Sequence, residues 1–312
     1  MMTHEPITPR GHGPGRGLGL RRVLVATDFS PHSACALERA RQLPLQEGAE
    51  LLLVHALPSE ATGEIRHGEE EALARHALEE AVHHTRGRLA RGSCEVRGLL
   101  VRGKPLEAIT RAARDFGAEL VVIGRPRIPG SLLARLRERM AGGFVESIPT
   151  ALLVVGPPPV GPYQHPLIAV ELTEASRHAV EAALRLCPNA SRVAVLHDYD
   201  TSYELVLHQA APSRIPEFQR EARTQACAEL HRFLTPYREA GVHFDELIGS
   251  GEASTSTLEL AQEEHADLVV VGRHTRLGLG RLVRPHVARQ IIKESTCDVL
   301  ILEQEDLPRE AS

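Results

Sequence analysis

Short apolar strands alternate with amphipathic helices along this chain, and they run through the same order twice. In the first pass, residues 22–27 form an apolar run ending at Asp28. Residues 31–47 have helical spacing, with Ala34, Leu37, Ala40 and Leu43 on one face. Residues 51–55 read as a second strand, 68–91 as a long helix with a polar outer face, and 94–101 as a third strand. Pro105 suits a first helical turn and opens a helix running to Phe116. Residues 120–123 are a fourth strand, 131–147 a helix, and 151–155 a fifth strand. Continuous apolar strands separated by helices require a parallel sheet covered on both faces. Right-handed crossovers restrict such a sheet to a doubly wound α/β layer.

After a proline-rich stretch the order recurs. Residues 167–170 end at Glu171, 193–196 at His197 and 268–271 at Gly272, and 299–302 close the unit. Asp28 and Glu171 are 143 residues apart, Gly103 and Gly251 148, Gly124 and Gly272 148, and Val155 and Leu302 147. A nearly constant offset means a duplicated domain, with a period too long for a solenoid. The 312 residues also suit about two domains. The expected organisation is a glycine-rich tail over 1–20, domains over 21–157 and 163–304, a linker over 158–162 and an acidic tail over 305–312.

Composition excludes several classes. The net charge of −5 argues against a general nucleic-acid binder, and it is uneven: residues 21–157 carry +2 and residues 158–312 carry −8. The cysteines Cys35, Cys94, Cys187, Cys227 and Cys297 form no CxxC pair, so neither a disulfide framework nor a thiolate zinc site is expected, and a reducing cytoplasm fits. No apolar run reaches transmembrane length, and no membrane partner is expected.

With these elements in place, the sequence resembles the universal stress protein family. Val-Ala-Thr-Asp28-Phe-Ser30, Leu-Leu-Val-His55 and Glu-Leu-Val-Val-Ile-Gly124 are similar to that family's first, second and fourth strands. The second copy matches with Ala-Val-Glu171-Leu-Thr173, Val-Leu-His197 and Asp-Leu-Val-Val-Val-Gly272-Arg-His274, and closes with Cys297-Asp-Val-Leu-Ile-Leu. The resemblance implies two five-stranded parallel sheets in order 3-2-1-4-5, of the adenine nucleotide alpha-hydrolase-like type. It also implies a pseudo-twofold pairing of the copies across their fifth strands. Val154, Val155, Leu300 and Leu302 are the interface residues expected on that basis. Self-association into a homodimer is compatible with the same pattern.

Nucleotide-binding members carry Gly-x-x-Gly after strand four and then Gly-Ser or Gly-Thr. Glycines let backbone N–H groups approach phosphate, and a hydroxyl at a helix start adds a donor where the dipole favours anions. Here Arg127 stands at the second glycine of copy one, and Glu138-Arg139 at its Gly-Ser positions. In copy two Thr275 replaces the second glycine, and Pro285-His286 occupy the Gly-Ser positions. The resemblance therefore implies weak or absent nucleotide binding. If ATP or ADP is held, the residues implied are Asp28, Ile123 and Gly124 in copy one and Glu171, Val271, Gly272, His274, Gly278 and His286 in copy two.

Other candidates are weaker. Arg125, Arg127, Arg135, Arg137 and Arg139 form either a substitute phosphate clamp or a solvated face paired with acids, and the sequence favours the face. His76, Glu80 and His84 share one helical stripe, a metal alternative that lacks a fourth ligand, so no metal is assigned. Ser30, Ser33, Thr173 and Ser176 read as helix caps rather than nucleophiles. There is no GxSxG elbow and no phosphate loop of the GxxxxGK type. The expectation is a non-catalytic, cytoplasmic stress-response module acting through protein contacts. The alternatives are an ATP/ADP sensor or slow ATPase, and a metal-binding protein.

Overall fold

The computed structural model describes residues 19–57, 64–89, 94–125, 143, 147–199, 208, 211–273 and 285–303. The expected tails, the helix expected over 131–147 and the loop after Gly272-Arg273 lie largely or wholly outside them. Copy one contributes β1 (Leu20–Ala26), α1 (Pro31–Gln42), β2 (Leu45–Leu57), α2 (Glu64–Arg88), β3 (Cys94–Arg102), α3 (Pro105–Phe116), β4 (Leu120–Gly124) and β5 (Ala151–Val155). Copy two contributes β6 (Pro166–Ala169), α4 (Glu174–Leu186), β7 (Arg192–Tyr199), α5 (Ile215–Leu234), β8 (His243–Ser250), α6 (Ala253–Glu263), β9 (Leu268–Arg273), α7 (Pro285–Glu294) and β10 (Asp298–Glu303).

Local chemistry sets the helix limits. Ser30 caps α1 by accepting the Ser33 N–H, and Thr173 caps α4 by accepting the Ser176 N–H, so Ser33 and Ser176 are the capped residues. Helix α3 starts on Pro105 and stops at Gly117, whose φ of 64° lets its N–H reach the last carbonyls. Helix α1 ends at Gln42 and not at residue 47. Pro44 follows after the C-cap Leu43 and cannot extend it, and residues 45–50 join β2 instead.

All ten strands form one sheet in order β3-β2-β1-β4-β5-β10-β9-β6-β7-β8. Each half has the 3-2-1-4-5 order, and every strand pair is parallel except β5 with β10. In that pair Val154 faces Val299, Leu153 faces Leu300 and Leu152 faces Ile301. Leu153 and Leu300 are equivalent in the two copies, so the pseudo-twofold axis passes between them. The expected Val154, Val155, Leu300 and Leu302 are all buried at this seam.

The strands between the edges β3 and β8 are largely buried on both faces, and each face carries one core running through both copies. One core joins Val23, Leu51, Leu153, Leu300, Val270 and Val195 beneath α1, α2, α4 and α5. The other joins Leu24, Val121, Val154, Val299, Val269 and Leu196 beneath α3, α6 and α7. Joining β5 to β10 also removes two strand edges that would otherwise offer unpaired backbone groups. No helix among the described residues is long and apolar enough to cross a membrane.

Candidate functional site

In a doubly wound sheet the ligand crevice opens at the carboxyl ends of the strands, where the connections diverge to opposite faces. In copy one that point lies between β1 and β4; in copy two, between β6 and β9. The structure brings Asp28, Ile123 and Gly124 to the first and Glu171, Val271 and Gly272 to the second. His274 and Gly278 lie outside the described residues, as does the side chain of His286.

The frame of the two crevices is the same. Phe29 and Leu172, each directly after the acidic residue, adopt left-handed backbone with φ of 59° and 57°. Neither is glycine, and a bulky side chain in that region stores strain that the surrounding contacts must hold. Part of the hold comes from histidine. His55 Nδ1 lies 2.8 Å from the Thr27 carbonyl, and His197 Nδ1 lies 3.0 Å from the Val170 carbonyl. A carbonyl only accepts, so Nδ1 carries the proton in both rings and donates it. The histidines thus tie the end of strand two to the end of strand one.

The details differ. Asp28 accepts the Ser30 N–H at 3.0 Å, and the Phe29 N–H donates to Thr27 Oγ1 at 3.1 Å. The Phe29 ring stacks on His55 with centroids 4.4 Å apart. In copy two Val170 offers no hydroxyl where Thr27 stands, and the Glu171 N–H donates to Ser176 Oγ at 2.9 Å.

Gly124 has a packing reason to be glycine. A Cβ there would sit 2.3 Å from the His32 carbonyl oxygen, so α1 approaches β4 too closely for any side chain. The next residue corrects the sequence expectation. Arg125 belongs neither to a phosphate clamp nor to a solvated face. It is buried, and its guanidinium donates to the carbonyls of Ser295 and Cys297 in copy two. Ser295 directly follows α7, so Arg125 supplies a cation and donors at that helix's C-terminal end. Gly156 leaves room for it: a Cβ there would lie 3.1 Å from the Arg125 Cζ. Arg127, Arg135, Arg137, Glu138 and Arg139 lie outside the described residues.

The histidine stripe does not gather into a ligand set. His76 pairs with Glu80 at 3.5 Å, both strongly exposed, and the described residues contain no group of three potential ligands.

One polar cluster was not read from the sequence. Asp298 is wholly buried at the start of β10. Its Oδ2 accepts Arg39 Nε at 2.8 Å and the Tyr163 hydroxyl at 2.7 Å, and its Oδ1 accepts the Gly156 N–H at 2.9 Å. Arg39 also donates to the Gly161 carbonyl at 2.6 Å and lies over the Tyr163 ring at 4.0 Å. Burial, with Asp298 beside it, pushes the Tyr163 hydroxyl well above its usual range, so it stays a donor. The available signals were an aspartate opening an apolar strand and the tyrosine in a proline-rich linker.

The comparisons agree with the fold and the duplication. The model of the universal stress protein family matches residues 19–156 and again 162–303. Universal stress protein A homolog 1 of Coxiella burnetii is 27% identical over 146 residues, which is 44% of this chain and 94% of that one. The crystal structure of a universal stress protein from Archaeoglobus fulgidus has a TM-score of 0.64 at 15% identity, covering 90% of this chain and 98% of that one. A functionally unknown protein of Pseudomonas aeruginosa PAO1 has a TM-score of 0.55 at 18% identity, covering 92% and 94%. Two matched segments that together take in most of the sequence, over one continuous sheet, place the chain in the universal stress protein family as a tandem of two of its domains.

Proposed function

We propose that this protein is a non-catalytic stress-response module that acts through protein contacts, with weak or absent nucleotide binding. The observation that carries this reading is the route of the chain after Gly124. The Arg125 N–H donates to the Val155 carbonyl at 2.7 Å, its side chain leaves the crevice for copy two, and Pro126 has no N–H to offer. In copy one the first backbone donors that could cradle a phosphate are therefore engaged or missing. Burial also pushes the Cys187 and Cys297 thiols up, away from the reactive thiolate.

The test is nucleotide content. Protein purified without added ATP is denatured and its supernatant analysed for adenine nucleotides. The native protein is then titrated with ATP in a calorimeter, because a chain without tryptophan is a poor fluorescence reporter. An empty protein with no titration heat is expected. Stoichiometric micromolar binding overturns the reading.

A second reading is an ATP/ADP sensor or slow ATPase using copy two. It is favoured by the retained frame there: the His197–Val170 bond, the left-handed Leu172 and Gly272 at the end of β9. Gly272→Phe should then abolish any binding found. Binding that survives this change would remove copy two from consideration.

A further inference from the structure

The apolar part of the β5–β10 seam does not say which half should pair with which. Leu153 faces Leu300 across the axis, and these two residues are each other's counterparts. Two copies of the first domain could join in the same way with Leu153 facing Leu153, and two copies of the second with Leu300 facing Leu300. The same is true of Arg125 at the level of sequence, since Arg273 stands at its counterpart position.

The buried ion pair is different. Arg39 and Asp298 are 4% and 0% exposed and are bonded to each other across the two halves. The offsets that superimpose the copies carry Arg39 to Ala182 and Asp298 to Ala151. The pair therefore exists on one side of the pseudo-twofold axis only. The linker explains which side: Gly156, Gly161 and Tyr163 all bond to the pair. The described contacts of Arg185 with Glu119 at 2.7 Å and the Gly19 carbonyl at 2.8 Å also cross between the copies, but Arg185 and Glu119 are partly exposed.

We propose that Arg39 and Asp298 make the fifth-strand surface of each half specific for the other half and reject pairing with a second copy of itself. In a pair of first domains each Arg39 would lie against Ala151, and in a pair of second domains each Asp298 would lie against Ala182. Both arrangements bury charge without a counter-charge, which is the strongly unfavourable case for an ion pair in a core. Specificity here comes from the penalty on the wrong partner as much as from the bond to the right one. The surface takes one occupant, the complementary half of a universal stress protein tandem.

The test starts from the folded full chain. A protease site is inserted beside Val160, which is fully exposed in the linker, and the protein is cleaved after folding. The nicked complex is held at equilibrium and its pair composition read by native mass spectrometry. Nicked wild type is expected to contain only pairs of unlike halves. Two variants should release like-with-like pairs, raising their fraction at least about tenfold. Arg39→Met with Asp298→Leu removes the charges, and Ala151→Asp with Ala182→Arg gives each half both of them. The second variant keeps the native pair and so guards against a first that fails to fold. Like-with-like pairs in the nicked wild type at statistical proportions would overturn the proposal. So would unlike pairs alone in both variants.

Discussion

The two copies share a backbone and differ in their polar chemistry. Phe29 and Leu172 take the same left-handed turn, Gly103 and Gly251 both have positive φ, and His55 and His197 make the same bond to the strand before them. At the seam and at the strand ends, however, charged residues in one copy stand where the other has alanine. Arg39 corresponds to Ala182, Asp298 to Ala151, and Asp198 to Ala56. Backbone geometry is thus set twice by the same rules, while each of these charges is buried in one copy only: Arg39 and Asp298 with partners from the other half and the linker, Asp198 with neither. Duplication gave two frames, and the joint between them is not interchangeable.

The largest test of the shared frame lies on the axis. Leu153→Lys and Leu300→Lys each put an unpaired ammonium into the centre of the seam, where both leucines are fully buried. Each should cost about 5 kcal/mol or more and abolish the cooperative melt of both halves together, since the cores are continuous. A melting temperature unchanged by either substitution would show that the edge is not buried in solution. A large effect from one and none from the other would break the equivalence of the copies at the axis.

Next comes the asymmetry of the polar contacts. Asp298→Asn leaves Arg39 buried without a carboxylate and should lower stability by about 3–5 kcal/mol in chemical denaturation. Arg185→Ala removes a partly exposed pair and should cost about 1 kcal/mol or less. Equal effects would mean that the linker side is not special.

These cases show what the sequence made legible. Strands buried on both faces must be apolar throughout, so nine of the ten were visible; β8, at the edge of the sheet, carries Asp245 and Glu246 and offered no such run. Pro105 marked the start of α3 because it acts through its own backbone, and the expected end at Phe116 is where the helix stops, before Gly117. The limit of α1 was set too late because the expected helix ran through Pro44, whose fixed φ and missing N–H end it. The long-range polar contacts were missed for a different reason. Arg39 meets a partner 259 residues away and Arg125 meets carbonyls 170 and 172 residues away, so no local pattern could distinguish them from solvated arginines. Of the candidate site, the strand ends were legible and the direction of Arg125 was not.

A smaller effect separates packing from ligand binding. If Gly124 is glycine because α1 lies against it, Gly124→Ala should destabilise nucleotide-free protein by about 1–3 kcal/mol. No change in the melting of the ligand-free protein would point back to a phosphate-loop role for this glycine.

The smallest effect tests whether the second copy's extra charge is a stability cost. Asp198 and Gly249 face one another across β7 and β8, where copy one pairs Ala56 with Val101. Gly249 makes the room, since a Cβ there would lie 2.1 Å from Asp198 Oδ1. That oxygen is buried without a hydrogen-bond partner. Burial pushes the Asp198 carboxyl up, only partly offset by a hydrogen bond with Ser256 and by His197. A carboxyl raised in the folded state binds protons more readily there than in the unfolded chain. Its ionisation therefore lowers stability as pH rises from the ordinary carboxylate value through the raised one, and the penalty is fully present at neutral pH. Asp198→Ala combined with Gly249→Val rebuilds the copy-one pair and should gain about 1 kcal/mol at pH 7. Part of that gain comes from packing and persists at every pH. The part due to ionisation should disappear below about pH 4, where aspartate is protonated in both states. Denaturation curves of wild type and variant that stay parallel across this range would show that Asp198 carries no such penalty.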